Sequence, residues 1–167
     1  YLAFCILFLF LFFLLPNLGK RIIILIFSYL FYGSISIFLV IALFTSTLFN
    51  FLIVRLSSKY KYIVSISFNI GLLLLFKLGV HFKHQTIFLP IGISFFTFQA
   101  ISFSLDYKAN KISNTVKFLD FANYLAFFPQ LISGPIEKFG NLATQLRNFN
   151  KFSWANLQQG LYLILIG

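Results

Sequence analysis

Very little of this chain is suited to water. Only 10% of its 167 residues are charged, three are acidic, and the one cysteine, Cys5, sits in the first apolar run. A lone thiol excludes a disulfide within the chain, and its surroundings make it a small hydrophobe rather than a reactive group. A soluble domain carries roughly 25% charged and 45–50% apolar residues. Here the apolar share is 60%, more than one buried interior of this size absorbs. Motifs of soluble catalysis are missing too: there is no Gly-x-Ser-x-Gly elbow, no glycine-rich loop ending in Lys and Ser/Thr, and no zinc-ligand spacing. His81 and His84 stand three apart, with no cysteine or carboxylate near them in sequence, so no metal is expected.

What is present is phenylalanine, 26 residues of it, in apolar runs that recur from end to end. The composition predicts an all-α, polytopic integral membrane protein with short and re-entrant helices. The first run, residues 1–15, has neither a basic segment before it nor a small-residue cleavage pattern after it, and resembles the end of a spanning helix rather than a signal peptide. The chain opens without methionine and ends inside a new apolar segment, so residues 1–167 are expected to be the N-terminal part of one longer membrane domain.

Residues 22–32 make a unit of only about 17 Å at 1.5 Å per residue, too short for a core of roughly 30 Å unless it continues through Gly33 and Ser34. Residues 34–54 and 62–78 are long enough to cross. A further tract, 86–105, is interrupted by Pro90 and Gly92. The last, 118–136, contains Pro129, Gly134 and Pro135, which predicts a helix that stops or bends within the membrane. If Lys20 and Arg21 are cytoplasmic, alternation puts Arg55, Lys59, Lys61, Lys108, Lys111 and Lys117 on the same side, and Lys77 and Lys83 opposite, as the bias of short cytoplasmic loops requires. Lys138, Arg147 and Lys151 fit only if 118–136 re-enters on the side it left. The net charge of +10 is spread over these loops rather than interleaved with aromatics, which speaks for lipid headgroups and against nucleic acid.

Polar side chains at membrane depth are the informative ones. Ser46 with Asn50, and Ser65 with Asn69, are spaced four apart and suit hydrogen bonds between helices. Phe95, Gln99, Ser102 and Asp106 share a stripe of one helix, which either ties helices together or lines a polar path. Asp120, Asn123 and Phe127 share another face, with Tyr124 beside them. Two prolines and a glycine between 129 and 135 leave carbonyls unpaired, and such backbone survives only against protein or a cavity. Gln99, Asp106, Asp120, Gln130, Ser133 and Glu137 are therefore the candidate channel-lining residues.

The segments Leu89-Pro90-Ile91-Gly92-Ile93-Ser94-Phe95-Phe96-Thr97-Phe98-Gln99 with Asp106, Phe118-Leu119-Asp120-Phe121, and Phe127-Phe128-Pro129-Gln130-Leu131-Ile132-Ser133-Gly134-Pro135-Ile136 resemble the membrane-bound O-acyltransferase (MBOAT) family. The resemblance is strongest to its bacterial branch that acetylates exported polysaccharides; Ser28 to Gly33 and Phe76-Lys77 add to it. It implies transfer of an acyl group, acetyl first, from a cytoplasmic thioester of coenzyme A or an acyl carrier protein to a hydroxyl beyond the bacterial cytoplasmic membrane. The donor is a substrate, and no cofactor is expected to be bound. Expected partners are membrane lipid and an exported polysaccharide or an acyl-relay protein. D-alanyl transfer to teichoic acid is the neighbouring alternative, and a transporter, flippase or non-catalytic assembly subunit are others. The family's histidine lies in a Trp-His-Gly-like motif that this chain lacks, so no catalytic residue is named and one is expected after Gly167. Lys138 stands where the family often has Arg, and is a candidate anion contact that keeps the charge without the planar fork.

Overall fold

The computed structural model describes residues 2–82, 92–112, 115–130, 136–149 and 153–166. They form eight α-helices and one 3₁₀ turn, and no strand occurs among them. The helices are α1 (Leu2–Leu14), α2 (Asn17–Ile35), α3 (Ile37–Ile53), α4 (Lys61–Phe82), α5 (Ile93–Lys108), α6 (Phe118–Ala126), α7 (Phe139–Arg147) and α8 (Trp154–Ile166), with the 3₁₀ turn at Phe128–Gln130.

The boundaries follow local chemistry. The short unit expected at 22–32 does continue: α2 runs unbroken from Asn17 and is about 28 Å long. The break falls at Ser36 instead, inside the tract 34–54 that was expected to be one helix. Ser36 is extended, gives its N–H to the Tyr32 carbonyl at 3.0 Å and accepts the Phe38 N–H on its hydroxyl at 3.2 Å, so one residue closes α2 and caps α3. Gly92 begins α5 at φ 105°, a left-handed conformation that only glycine adopts without strain. Asn110, at φ 54°, ends the same helix, and the Lys111 N–H reaches back to the Asp106 carbonyl at 3.0 Å. Pro129 stops α6 early, as its missing N–H and its restriction of Phe128 require. Pro90, Ser133, Gly134 and Pro135 lie outside the described residues.

Polar side chains are buried beside the apolar core, and many large apolar side chains face outward. Ser28, Ser46, Thr47, Asn50, Ser65, Asn69, Thr97 and Ser104 are fully buried, while Phe38, Leu75 and Leu165 are 70% exposed or more. Two helices, Asn17–Ile35 and Lys61–Leu78, are long and apolar enough to cross a membrane. α1 and α3 are shorter apolar helices.

Several of the cations, Arg21, Arg55, Lys61 and Arg147, meet partners around α6 and the ends of α5 and α7. Arg21 near the start of α2 binds Asp120 at the start of α6, which also binds Arg147 at the end of α7. Arg55, just past α3, bonds the Val116 carbonyl ahead of α6, and Lys61 at the start of α4 lies 5.8 Å from the ring of Tyr107 at the end of α5. α6 and α7 thus form a hairpin that leaves this end and returns to it, each arm about 14 Å long.

Candidate functional site

Two polar assemblies sit inside the bundle, and they differ in kind. In the first, Ser46 and Asn50 of α3 meet Ser65 and Asn69 of α4. Asn69 Nδ2 donates to Asn50 Oδ1 at 2.7 Å, Asn50 Nδ2 donates to Asn69 Oδ1 at 3.2 Å, and the hydroxyls of Ser65 and Ser46 donate to the same two oxygens at 2.6 and 3.1 Å. Ser104 of α5 joins through Ser65 at 2.6 Å. Every amide atom of the two asparagines has a partner, so this cluster clasps three helices and offers nothing to a ligand.

The second assembly surrounds the α6–α7 hairpin. The Tyr124 hydroxyl contacts two carbonyls, that of Glu137 at 2.9 Å and that of Gln99 at 3.4 Å, tying the middle of α5 to the segment before α7. The Phe128 N–H donates to the Ser28 hydroxyl at 3.3 Å, which anchors the 3₁₀ turn to α2. The Phe128 ring packs against Phe4, Phe8 and Phe31, with centroids 5.4–5.8 Å away. Asn123 Nδ2 donates to the Arg21 carbonyl at 3.0 Å.

Within this frame Gln99 is 1% exposed, and among the described residues neither its Nε2 nor its Oε1 meets a hydrogen-bond partner. The Tyr32 hydroxyl and Asn123 Oδ1 are likewise buried without partners among the described residues. Each such atom costs about 1–3 kcal/mol. A buried amide orphaned at both ends is an unspent donor and acceptor awaiting a group that the described residues do not supply.

The other expected residues fall in different places. Asp120 is buried and fully engaged: Arg21 contacts Oδ1, and Arg147 contacts Oδ2 through Nε at 2.8 Å. It joins α2, α6 and α7 at the basic end. Asp106 is half-buried at the end of α5, 4.0 Å from Lys111 Nζ. Gln130 is buried in the 3₁₀ turn, and Pro129 beside it is exposed. The Glu137 carboxylate meets Asn141 Nδ2 at 3.5 Å. Lys138 is exposed and precedes α7, its carbonyl accepting the N–H groups of Asn141 and Leu142. Ser133 lies outside the described residues, and no group of three metal-ligating side chains occurs among those described.

Sequence reasoning did not find the paired arginines or the orphaned Tyr32. The scarcity of acid was the available clue to the first: with 13 cations and 3 carboxylates, a carboxylate in an apolar tract is bound to be claimed by arginine. Lys20 shows the converse. It is 9% exposed, with Nζ 5.1 Å from the Phe12 ring centroid and 5.9 Å from that of Phe149, and it meets no carboxylate.

Comparison with known proteins gives this geometry its context. The chain is 42% identical over 71 residues to "Probable alginate O-acetylase AlgI" of Pseudomonas syringae pv. tomato, a match covering 40% of this chain and 14% of that protein. Against the protein of the same description from Pseudomonas aeruginosa it is 44% identical over 62 residues, 37% of this chain and 12% of the other. With the peptidoglycan O-acetyltransferase of Helicobacter pylori it shares 32% identity over 113 residues, 52% of this chain and 21% of that one. Over these stretches the chain is similar to O-acetyltransferases. Their recurrence bears out the resemblance to the bacterial branch of the MBOAT enzymes. The matched segments span a fifth or less of most of these relatives, 12–21% of their length. No family model matches the chain, and no solved structure matches it at significance.

Proposed function

We propose that residues 1–167 are the N-terminal part of a multi-pass O-acyltransferase of the bacterial cytoplasmic membrane. It moves an acetyl group from a cytoplasmic thioester donor to hydroxyls of an exported cell-envelope polysaccharide, directly or through an acyl-relay protein. The acceptor oxygen attacks the thioester carbonyl, the new C–O bond replaces the C–S bond, and the proton passes to a general base and on to the departing thiolate. That base is a histidine in a Trp-His-Gly-like motif, which these residues do not contain.

The observation that carries this reading is the Gln99 amide, buried and unmatched beside the α6–α7 hairpin of an O-acetyltransferase homologue. α6 enters from the basic, cytoplasmic end and α7 returns to it, so the Phe128–Gln130 turn lies at membrane depth against protein. Gln99, Gln130 and Glu137 line the path of the reacting groups. Gln99 orients the acceptor hydroxyl or the histidine, and Asp120 and Asp106 position the helices from the cytoplasmic side. Lys138, exposed ahead of α7, contacts an anionic group of the donor.

The full-length protein in proteoliposomes, given labelled acetyl-CoA and envelope polysaccharide, should transfer label, and Gln99→Leu should lower the rate at least tenfold with the fold intact. Label moved only from a D-alanyl carrier protein would assign the neighbouring reaction. Substrate that crosses the membrane without becoming acylated would refute acyl transfer in favour of transport.

A further inference from the structure

Two helices that flank α6 each bury a polar side chain without a partner. Gln99 of α5 and Tyr32 of α2 are both 1% exposed, and among the described residues neither amide atom of the first nor the hydroxyl of the second meets a hydrogen-bond partner. Contacts along α6 fix their depth. Arg21 meets Asp120 and Ser28 meets Phe128, so α2 runs parallel to α6. The Phe103 ring meets Phe121 while the Gln99 carbonyl meets the Tyr124 hydroxyl, so α5 runs antiparallel to it. Tyr32 stands one turn, about 6 Å, beyond Ser28 on the same face of α2. Long helical side chains lean toward their own N-terminus. Tyr32 therefore leans back toward the level of Phe128, and Gln99 leans on past Tyr124 toward the same level. Both tips reach the depth at which α6 has stopped at Ala126 and given way to the Phe128–Gln130 turn.

We propose that Tyr32 and Gln99 form one subsite for an alcohol, the hydroxyl of the acceptor. An amide open at both ends calls for a partner that donates and accepts, as a hydroxyl does. A thioester carbonyl, an ionised carboxylate and a phosphate diester only accept. The Tyr32 hydroxyl can take a neighbouring oxygen in either role. Charge agrees with this choice: residues 22–35 of α2, 93–105 of α5 and 121–126 of α6 carry none, so the subsite favours a neutral group over an ionised one. The subsite rests on the acyl-transfer reading for the identity of its alcohol. It commits Gln99 to the acceptor rather than to the histidine, and it adds Tyr32 as a second contact that sets acceptor specificity.

Tyr32→Phe in the full-length protein removes the hydroxyl and keeps the ring. In proteoliposomes the KM for the saccharide acceptor should rise about fivefold, the worth of one neutral hydrogen bond, while the KM for acetyl-CoA stays. The unfolding midpoint should hold or rise, because the lost atom had no partner in the protein. Tyr60→Phe, a control at a ring 56% exposed, should move neither constant. An unchanged acceptor KM, an equal rise in the KM for acetyl-CoA, or a lowered midpoint overturns the subsite. Binding without turnover separates it from the enzymatic reading. A mannuronate hexasaccharide and a peptidoglycan tetrasaccharide are titrated against the protein in nanodiscs, and the one that binds should bind about fivefold more weakly to Tyr32→Phe. If the wild type binds neither, or the variant binds as well, the subsite falls. If Tyr32-dependent binding persists in a protein that transfers no acyl group, the subsite stands and the enzymatic reading fails.

Discussion

Replacing Asp120 by Asn removes one charge and leaves the shape, which makes it the most discriminating perturbation of this fold. The Asp120 side chain is 3% exposed, that of Arg21 15% and that of Arg147 44%. Arg21 has little water to fall back on, and stripping a buried cation of its partner costs about 3–5 kcal/mol. Arg147 is nearly half in solvent, so its share is that of a surface pair, about 0.2–1 kcal/mol. Asp120→Asn should therefore destabilise by about 3–5 kcal/mol and Arg147→Gln by no more than about 1. The Asp120→Asn/Arg21→Gln double variant should be milder than the sum of its singles by more than about 1 kcal/mol, since each removes the other's burden. Unfolding in mixed micelles of rising dodecyl sulfate fraction, followed by circular dichroism, measures all four. A loss below 1 kcal/mol for Asp120→Asn, or equal losses for the two arginine variants, would refute the assignment of Asp120 as the buried hub.

Three further predictions use the same unfolding assay. Asn50→Ala leaves Asn69 and Ser65 without their shared acceptor and should cost about 2–3 kcal/mol; an unchanged midpoint would dissolve the clasp. Gly92→Ala forces a side chain into a left-handed backbone at φ 105° and should cost about 1–2 kcal/mol, against no effect if α5 can begin elsewhere. Gln99→Leu removes two unsatisfied atoms at similar volume and should stabilise or leave stability unchanged while transfer falls; a destabilised protein would mean that the amide already has partners.

The start of α5 after the Pro-x-Gly, and the halt of α6 at Pro129, were legible because proline and glycine act on their own few residues. The pairs Ser46/Asn50 and Ser65/Asn69 were legible as pairs, since spacing of four sets a common helix face. That the two faces meet each other is a tertiary fact with no local trace. Asp120 stood out as a carboxylate in an apolar tract, but its partner Arg21 is 99 residues away, and reading the cations as markers of sidedness hid their role as ligands. The break at Ser36 escaped because hydropathy averages over a single serine, whereas hydrogen bonding at both helix ends does not.

The outward apolar surface of the bundle carries a thermal consequence. Heat capacity rises on unfolding when apolar surface meets water and falls when polar surface does. On the membrane reading proposed above, the outward leucines and phenylalanines stay in hydrocarbon in both states, so opening hydrates only the interior, where the buried Ser, Thr and Asn side chains offset part of the apolar contribution of Leu43, Phe96, Phe103 and Phe121. The dome of stability against temperature should accordingly be shallower, and cold should weaken this protein less than it weakens a water-soluble bundle of equal length.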